Sequence, residues 1–444
     1  MNPAGKWFGW KDSLFEQRVL LIYILRWSFL GITTGVIVGT GVAVFLKMLA
    51  WAIAVWTQVW YYYFFLPVIL GLNCWLMSVA AIQTAGGSDK VIEAIHQRDG
   101  CLQLAEMPVK IAATIITIAA GGSAGKEGPA AQIGATLASA WAKFLRVSRA
   151  DSRKVVTCGL SAGFACVFGT PVAGAIFGIE VLFIGKILYD TLYPAFVAGL
   201  AGYYICRIIG IPYFYLQIHV EPTGYLIFQS IILGVVCGLA AIFFIKTINF
   251  CKHGFTCLHI AQQAKAFVGG IMLILIGYFA SPLYLGLGLE LFETGISGQS
   301  VAVVAFFWKT LATGITLGCG GTGGIIMPII IVGTMTGNLF GQLFGNLDIA
   351  VYAVLGMVAL LAAAVNIPVA AVVMAAELFG SDIIPYAAVS CSISYLISGH
   401  RSVYPSQIIF AGKIPYLCKD EGKSVSCAEG QVSFTSVEED QIRQ

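Results

Sequence analysis

The sequence predicts an all-α polytopic membrane protein made of two related halves with broken, re-entrant helices. Three observations carry that prediction: a shortage of charge, long uncharged runs, and a Gly- and Pro-rich segment that occurs twice. The 444 residues include 25 basic and 22 acidic side chains, so 11% are charged, where a soluble domain has roughly 25%. A water-soluble surface cannot be built from that material, and disordered chains are polar rather than apolar. The net charge of +3 and the absence of a long Lys/Arg run exclude nucleic acid as a partner. Twelve Cys occur without a C-x-x-C pair and five His without ligand spacing, so neither a disulfide framework, a metal nor a cofactor is expected.

The gaps between charges measure the membrane spans. Residues 48–88 and 310–347 contain no charge, and neither do 155–179, 222–245, 266–289 and 349–376. A spanning helix needs about 20 apolar residues, so these runs require about six to eight passes. Residues 19–47 and 383–398 add further apolar segments. A transmembrane barrel would alternate along each strand, whereas these runs are apolar on all sides. Lys6, Lys11 and Arg18 make residues 1–18 a cytoplasmic segment by the positive-inside rule. This segment lacks the apolar core of a cleavable signal. The transmembrane domain is expected over 19–413, and a polar tail over 414–444.

The repeat appears when the chain is displaced by 199 residues. Ten of the 25 positions from Lys110 to Gly134 then match those from Lys309 to Gly333, including Lys110/Lys309, Gly125/Gly324 and Pro129/Pro328. After a two-residue deletion, Asp151, Pro171-Val172-Ala173 and Glu180 face Asp348, Pro368-Val369-Ala370 and Glu377. Shared bias toward Gly, Ala and Ile does not place Lys, Pro and Glu in register, so 110–180 and 309–377 are taken as related. Halves with interrupted helices at matching positions put substrate sites near the midplane.

Gly125/Pro129/Gly134 and Gly324/Pro328/Gly333 share one spacing. Pro is tolerated in the first turn of a helix, and glycines before it leave the backbone amides exposed. Each copy therefore reads as a helix that starts inside the membrane with its positive dipole end inward. Two such ends converging make an anion site. Glu127 stands at the first of these starts. Intramembrane carboxylates mark ion or proton pathways. At this place a carboxylate can occupy the anion position itself and vacate it when protonated or displaced. The competing reading is a static cap on the helix amides.

Gly125-Lys126-Glu127-Gly128-Pro129, Gly323-Gly324-Ile325-Ile326-Met327-Pro328 and Tyr404 after Gly399-His400-Arg401 resemble the signatures of the CLC family of chloride channels and proton-coupled antiporters. The likeness covers about residues 20 to 413 and includes Val91-Ile92-Glu93-Ala94-Ile95-His96. It implies two inverted halves, a central anion, and a homodimer in which each subunit holds its own pathway. It makes Glu127 the gate and proton-titratable group, and assigns anion contacts to the amides of Lys126 to Gly128, Ile325 and Ile326. Tyr404 is expected to supply a hydroxyl from the last membrane helix. Chloride or a similar small anion would move by voltage-driven channel or proton-coupled antiport. The short chain resembles prokaryotic members, which places it in a bacterial inner membrane.

Three departures from the family pattern stand out. The usual G-S-G-I-P is Gly86-Gly87-Ser88-Asp89-Lys90 here, so the anion-coordinating Ser position falls on Gly87, with Ser88 one residue on as a possible substitute. The usual Phe of the second motif is Ile326. The second acid of the family's acidic pair, which passes protons, is Val181, while Glu180 and Glu377 are expected to be structural. A fluoride-type exporter of the same fold is the alternative, favoured by the altered first motif and opposed by Pro129 and Tyr404. An intramembrane enzyme is the reading from another class. Glu127 has no acidic or His partner in the sequence, and no nucleophile or Walker A motif is present, so no catalytic residues are assigned.

Overall fold

The computed structural model describes residues 10–80, 87–221, 223–344, 348–413 and 421–428. The first half contains α1 (Trp10–Trp56), α2 (Leu66–Val79), α3 (Gly87–Gln97), α4 (Met107–Ala119), α5 (Glu127–Phe144), α6 (Arg149–Phe168), α7 (Pro171–Glu180) and α8 (Tyr189–Ile209). The second contains α9 (Gly224–Cys257), α10 (Gln262–Phe279), α11 (Leu289–Ile296), α12 (Ala305–Gly318), α13 (Ile326–Phe344), α14 (Ile349–Val365), α15 (Pro368–Phe379) and α16 (Ile384–Ile397). A short α17 (Val425–Ala428) follows. The β1 strand (Phe183–Ile184) pairs in parallel with β2 (Ile408–Ile409).

Among the described residues six helical segments are long and apolar enough to cross a membrane: Phe15–Trp56, Tyr62–Val79, Tyr189–Ile209, Gly224–Cys257, Gln262–Phe279 and Ile326–Phe344. The chain is a multi-pass membrane protein. Leu21, Trp51, Ile208, Phe250 and Phe279 project outward from α1, α8, α9 and α10, which suits lipid contact. By contrast α14 is buried from Ala350 to Val365, so it forms the middle of the packing.

The helices α4 to α8 are matched in order by α12 to α16, and the paired elements touch reciprocally. Gly125 and Gly324 exchange backbone hydrogen bonds of 2.6 and 2.7 Å in an antiparallel bridge. The Thr322 N–H donates to Thr117 Oγ1 at 3.3 Å, and the Ser123 N–H donates to Thr316 Oγ1 at 3.0 Å. The turns before these contacts rest on Gly121 and Gly320, at φ 101° and 108°, a region open to glycine without strain. A Cβ on Gly324 would lie 2.6 Å from the Gly128 nitrogen, so the crossing demands glycine.

Glu180 accepts from the Val369 and Ala370 N–H groups at 3.0 and 2.8 Å. Glu377 accepts from Val172 and Ala173 at the same two distances, 3.0 and 2.8 Å. Each carboxylate thus caps the helix that bears its counterpart. Pro171 and Pro368 take the first helical position, where a missing N–H costs nothing, and the next two amides need the cap.

One sequence expectation is modified. Tyr404 is not on a membrane helix: α16 ends at Ile397, and Tyr404 lies in irregular chain before β2. Pro405 follows it, which disfavours helical backbone at Tyr404. The helix α1 starts at Trp10, ahead of residue 19, and within 421–428 Val425 and Ala428 pack on Ile184 and Ile409. Gly86 and the rest of the expected tail lie outside the described residues.

Candidate functional site

Three helix starts converge on the glycine bridge. The α5 helix begins at Glu127, α13 at Ile326 and α3 at Gly87. A Cβ on Gly87 would touch the Gly128 carbonyl carbon at 3.4 Å, and one on Gly128 would meet the Gly324 Cα at 2.9 Å. These backbones pass within contact because side chains are absent there. Their N-termini meet in one region, which suits a negative charge.

Glu127 holds that region. It is fully buried, and its Oε2 accepts from the Met327 N–H, in the first turn of α13, at 3.1 Å. Its Oε1 has no hydrogen-bond partner among the described residues. A buried oxygen left in that state is costly. The carboxylate therefore occupies the helix terminus without being fully held by it.

Gly87, Gly128, Ile325 and Tyr404 line one cavity of about 420 Å³. Lys126, Glu127 and Ile326 do not line it, and Glu127 and Ile326 are wholly buried. Ser88 also lines the cavity, and its hydroxyl and that of Tyr404 are both buried without a hydrogen-bond partner among the described residues. Two orphan hydroxyls and several helix termini around one space form a donor-rich, acceptor-poor site. Asp89, the acid in the lining, accepts from the Ser406 N–H and Oγ at 2.9 and 3.1 Å. Among the described residues no three His, Cys, Asp or Glu side chains come together as a metal site.

Val181 stands apart from the cavity, buried at the end of α7. Its carbonyl accepts from Gln407 Nε2 at 2.7 Å, and the same amide donates to the Val365 carbonyl at 2.9 Å. Gln407 Oε1 accepts from Ser402 Oγ at 2.5 Å and Asn366 Nδ2 at 3.2 Å. Ser402 Oγ accepts in turn from the Tyr404 N–H at 3.0 Å. This buried network fixes the irregular segment that aims Tyr404.

Sequence reasoning missed Gln407 and the cavity lysines Lys110, Lys252 and Lys265. Lys252 had a readable signal, as a cation on a long apolar helix. Lys110 was visible only as half of a repeat match. Gln407 had none, because its value comes from carbonyls on separate elements.

The comparisons agree with this arrangement. Residues 66–399 match the family model described as "Voltage gated chloride channel". A "Chloride/fluoride channel protein" of Pseudomonas syringae pv. tomato is 32% identical over 404 residues, 88% of each chain. The crystal structure of a CLC-type fluoride/proton antiporter superposes with a TM-score of 0.82 at 27% identity, covering 86% of this chain and 98% of that one. A slow cyanobacterial Cl⁻/H⁺ antiporter, at 23% identity and TM-score 0.74 over 84% and 94% of the two chains, shares the fold. The match over most of the chain, the two broken-helix motifs and the bridged glycines lead to one conclusion: the chain belongs to the voltage-gated chloride channel, or CLC, family.

Proposed function

We propose that the chain exchanges a small halide, chloride or fluoride, against protons where α3, α5, α13 and Tyr404 meet. Glu127 is both gate and proton carrier. The observation that carries the reading is its buried carboxylate, bonded once to the start of α13 with its other oxygen unpartnered. An anion entering the site competes with the carboxylate for the same amides. Protonation neutralises Glu127 and frees it from the helix terminus, and its return expels the anion. The anion contacts are the amides of Lys126, Glu127, Gly128, Ile325 and Ile326, the backbone at Gly87, and the hydroxyl of Tyr404.

The names borne by the Pseudomonas relative and the solved antiporter support a halide that includes fluoride. Fluoride is the strongest hydrogen-bond acceptor among halides, and the orphan Ser88 and Tyr404 hydroxyls suit it. Protons reaching Glu127 travel through water in the cavity, since Val181 cannot carry one. Val181 also favours a second reading, a passive channel. In either case transport makes and breaks no covalent bond of the anion, so the chain is not an enzyme. The reading includes the family's homodimeric assembly, which light scattering in detergent checks.

Liposomes containing the full chain and loaded with KCl or KF test it. With equal potassium on both sides a potassium ionophore holds the voltage near zero, and an outward halide gradient is expected to release both halides and draw protons inward until the lumen is more acidic than the outside. Halide release without proton movement establishes the channel instead. No release of either halide removes the anion assignment.

A further inference from the structure

The last turns of α9 carry a pair of metal-ligating side chains away from the glycine bridge. His253 and Cys257 are four residues apart in the helix, so both project from one face. Cys257 Sγ and His253 Nε2 stand 3.4 Å apart, and both residues are exposed. The five His share no ligand spacing with one another; the helix register adds a thiol to one of them.

This end of α9 stands in water on the cytoplasmic side. The uncharged stretch Gly224–Ile245 is about 33 Å long at 1.5 Å per residue and by itself fills a hydrocarbon core of about 30 Å. The rest of the helix, with Lys246, Asn249, Lys252 and His253, extends beyond it. Lys265 follows on α10, and no acid occurs between Glu221 and Glu290, which is the cytoplasmic pattern. A reducing cytoplasm keeps Cys257 a thiol rather than half of a disulfide.

We propose that His253 and Cys257 form a binding site for a divalent cation of the zinc class. Zinc bonds thiolate sulfur at about 2.3 Å and imidazole nitrogen at about 2.0–2.1 Å, and tetrahedral geometry then sets the two ligand atoms about 3.6 Å apart. The observed 3.4 Å is close to that bite. A linear two-coordinate ion would hold the atoms apart by the sum of both bonds. Magnesium and calcium take oxygen ligands instead. The helix end also selects a cation over a reactive thiolate. The C-terminus is the negative end of the dipole, and the last turn of α9 has no basic side chain to offset it. A bare thiolate is disfavoured there, and a doubly charged ion is favoured. On binding, the thiol proton passes to water, and the Cys257–His253 hydrogen bond gives way to one bond from each to the metal. Among the described residues no third His, Cys, Asp or Glu joins the pair, so water completes the tetrahedron and the ion stays exchangeable. Lys252, Phe255 and Thr256 from the same turns line the cavity, so the ion adds positive charge beside its wall.

Cobalt(II) reports such a site, because a thiolate ligand gives it a charge-transfer absorption that the hydrated ion lacks. Titrating cobalt(II) into the reduced, tag-free full chain is expected to produce this band at one ion per chain, and zinc is expected to abolish it. Cys257→Ser and His253→Gln are each expected to lose the band at the concentration that half-saturates the wild type. Cys101→Ser and Cys427→Ser, which change the other exposed thiols among the described residues, keep it. Zinc should also raise the melting temperature of the wild type and leave that of Cys257→Ser unchanged. A wild type without the band, a band that survives in Cys257→Ser or in His253→Gln, or an equal zinc effect on the melting of wild type and Cys257→Ser overturns the site.

Discussion

Two kinds of carboxylate cap helix N-termini in this molecule, and they differ in how completely they are held. Glu180 and Glu377 each accept two amide hydrogen bonds between 2.8 and 3.0 Å, and they do so reciprocally between the halves. Glu127 caps α13 through one bond of 3.1 Å and leaves an oxygen buried and bare. Its counterpart position is Ile326, which returns nothing to α5. Charge-assisted hydrogen bonds contribute about 1.5–3 kcal/mol each. The doubly bonded acids are therefore clamps, and Glu127, bonded once across the halves to the start of α13, is the proposed latch. Symmetry marks what holds the halves together, and its loss at Glu127 fits the movement proposed for that residue.

The comparison breaks most visibly if the clamps are cut. Glu377→Ala orphans the Val172 and Ala173 amides, at about 1–3 kcal/mol each, and Glu180→Ala does the same to Val369 and Ala370. Both variants are expected to melt well below wild type in a thermal unfolding assay in detergent, by similar amounts. A smaller loss is expected from Lys309→Met, which strips hydrogen bonds from the Tyr284 and Gly286 carbonyls. Lys110→Met removes an ammonium paired with Glu106 at 3.7 Å, beyond hydrogen-bond length, and should melt nearer the wild-type temperature than Lys309→Met. Thr316→Val removes one reciprocal contact, for about 1 kcal/mol, and Thr117→Val removes its counterpart together with the bond from Asn73 Nδ2, for somewhat more. The smallest effect belongs to Glu127→Ala. It loses one bond and relieves one buried oxygen, so its melting temperature should stay close to wild type. A collapse as deep as that of Glu377→Ala would make Glu127 a clamp.

The helical membrane class, the repeat and the convergence of broken helices were legible, because charge spacing and Gly–Pro register report backbone demands directly. The structural role of Glu180 and Glu377 was legible too, but not the exchange of caps between the halves. That pairing depends on which amides the inverted arrangement brings opposite each carboxylate. The contrast between Lys110 and Lys309 was invisible because the residues are identical. It comes from the segment after α10 that supplies the Tyr284 and Gly286 carbonyls. Tyr404 was assigned to a helix although Pro405 follows it, and the local backbone rule outweighed the family expectation. The amide hub at Gln407 joins Val181, Val365, Asn366 and Ser402, a meeting that no local pattern encodes.

The central claim is that Glu127 leaves its helix terminus and carries the proton. Simultaneous recording of halide and proton movement in liposomes, for wild type and Glu127→Gln, tests it most directly. The neutral amide keeps the shape of the side chain and cannot exchange a proton. Proton movement driven by halide should vanish in Glu127→Gln, and any remaining halide flux should lose its dependence on pH. A variant that still moves protons at the wild-type rate, with the same pH response, contradicts the account.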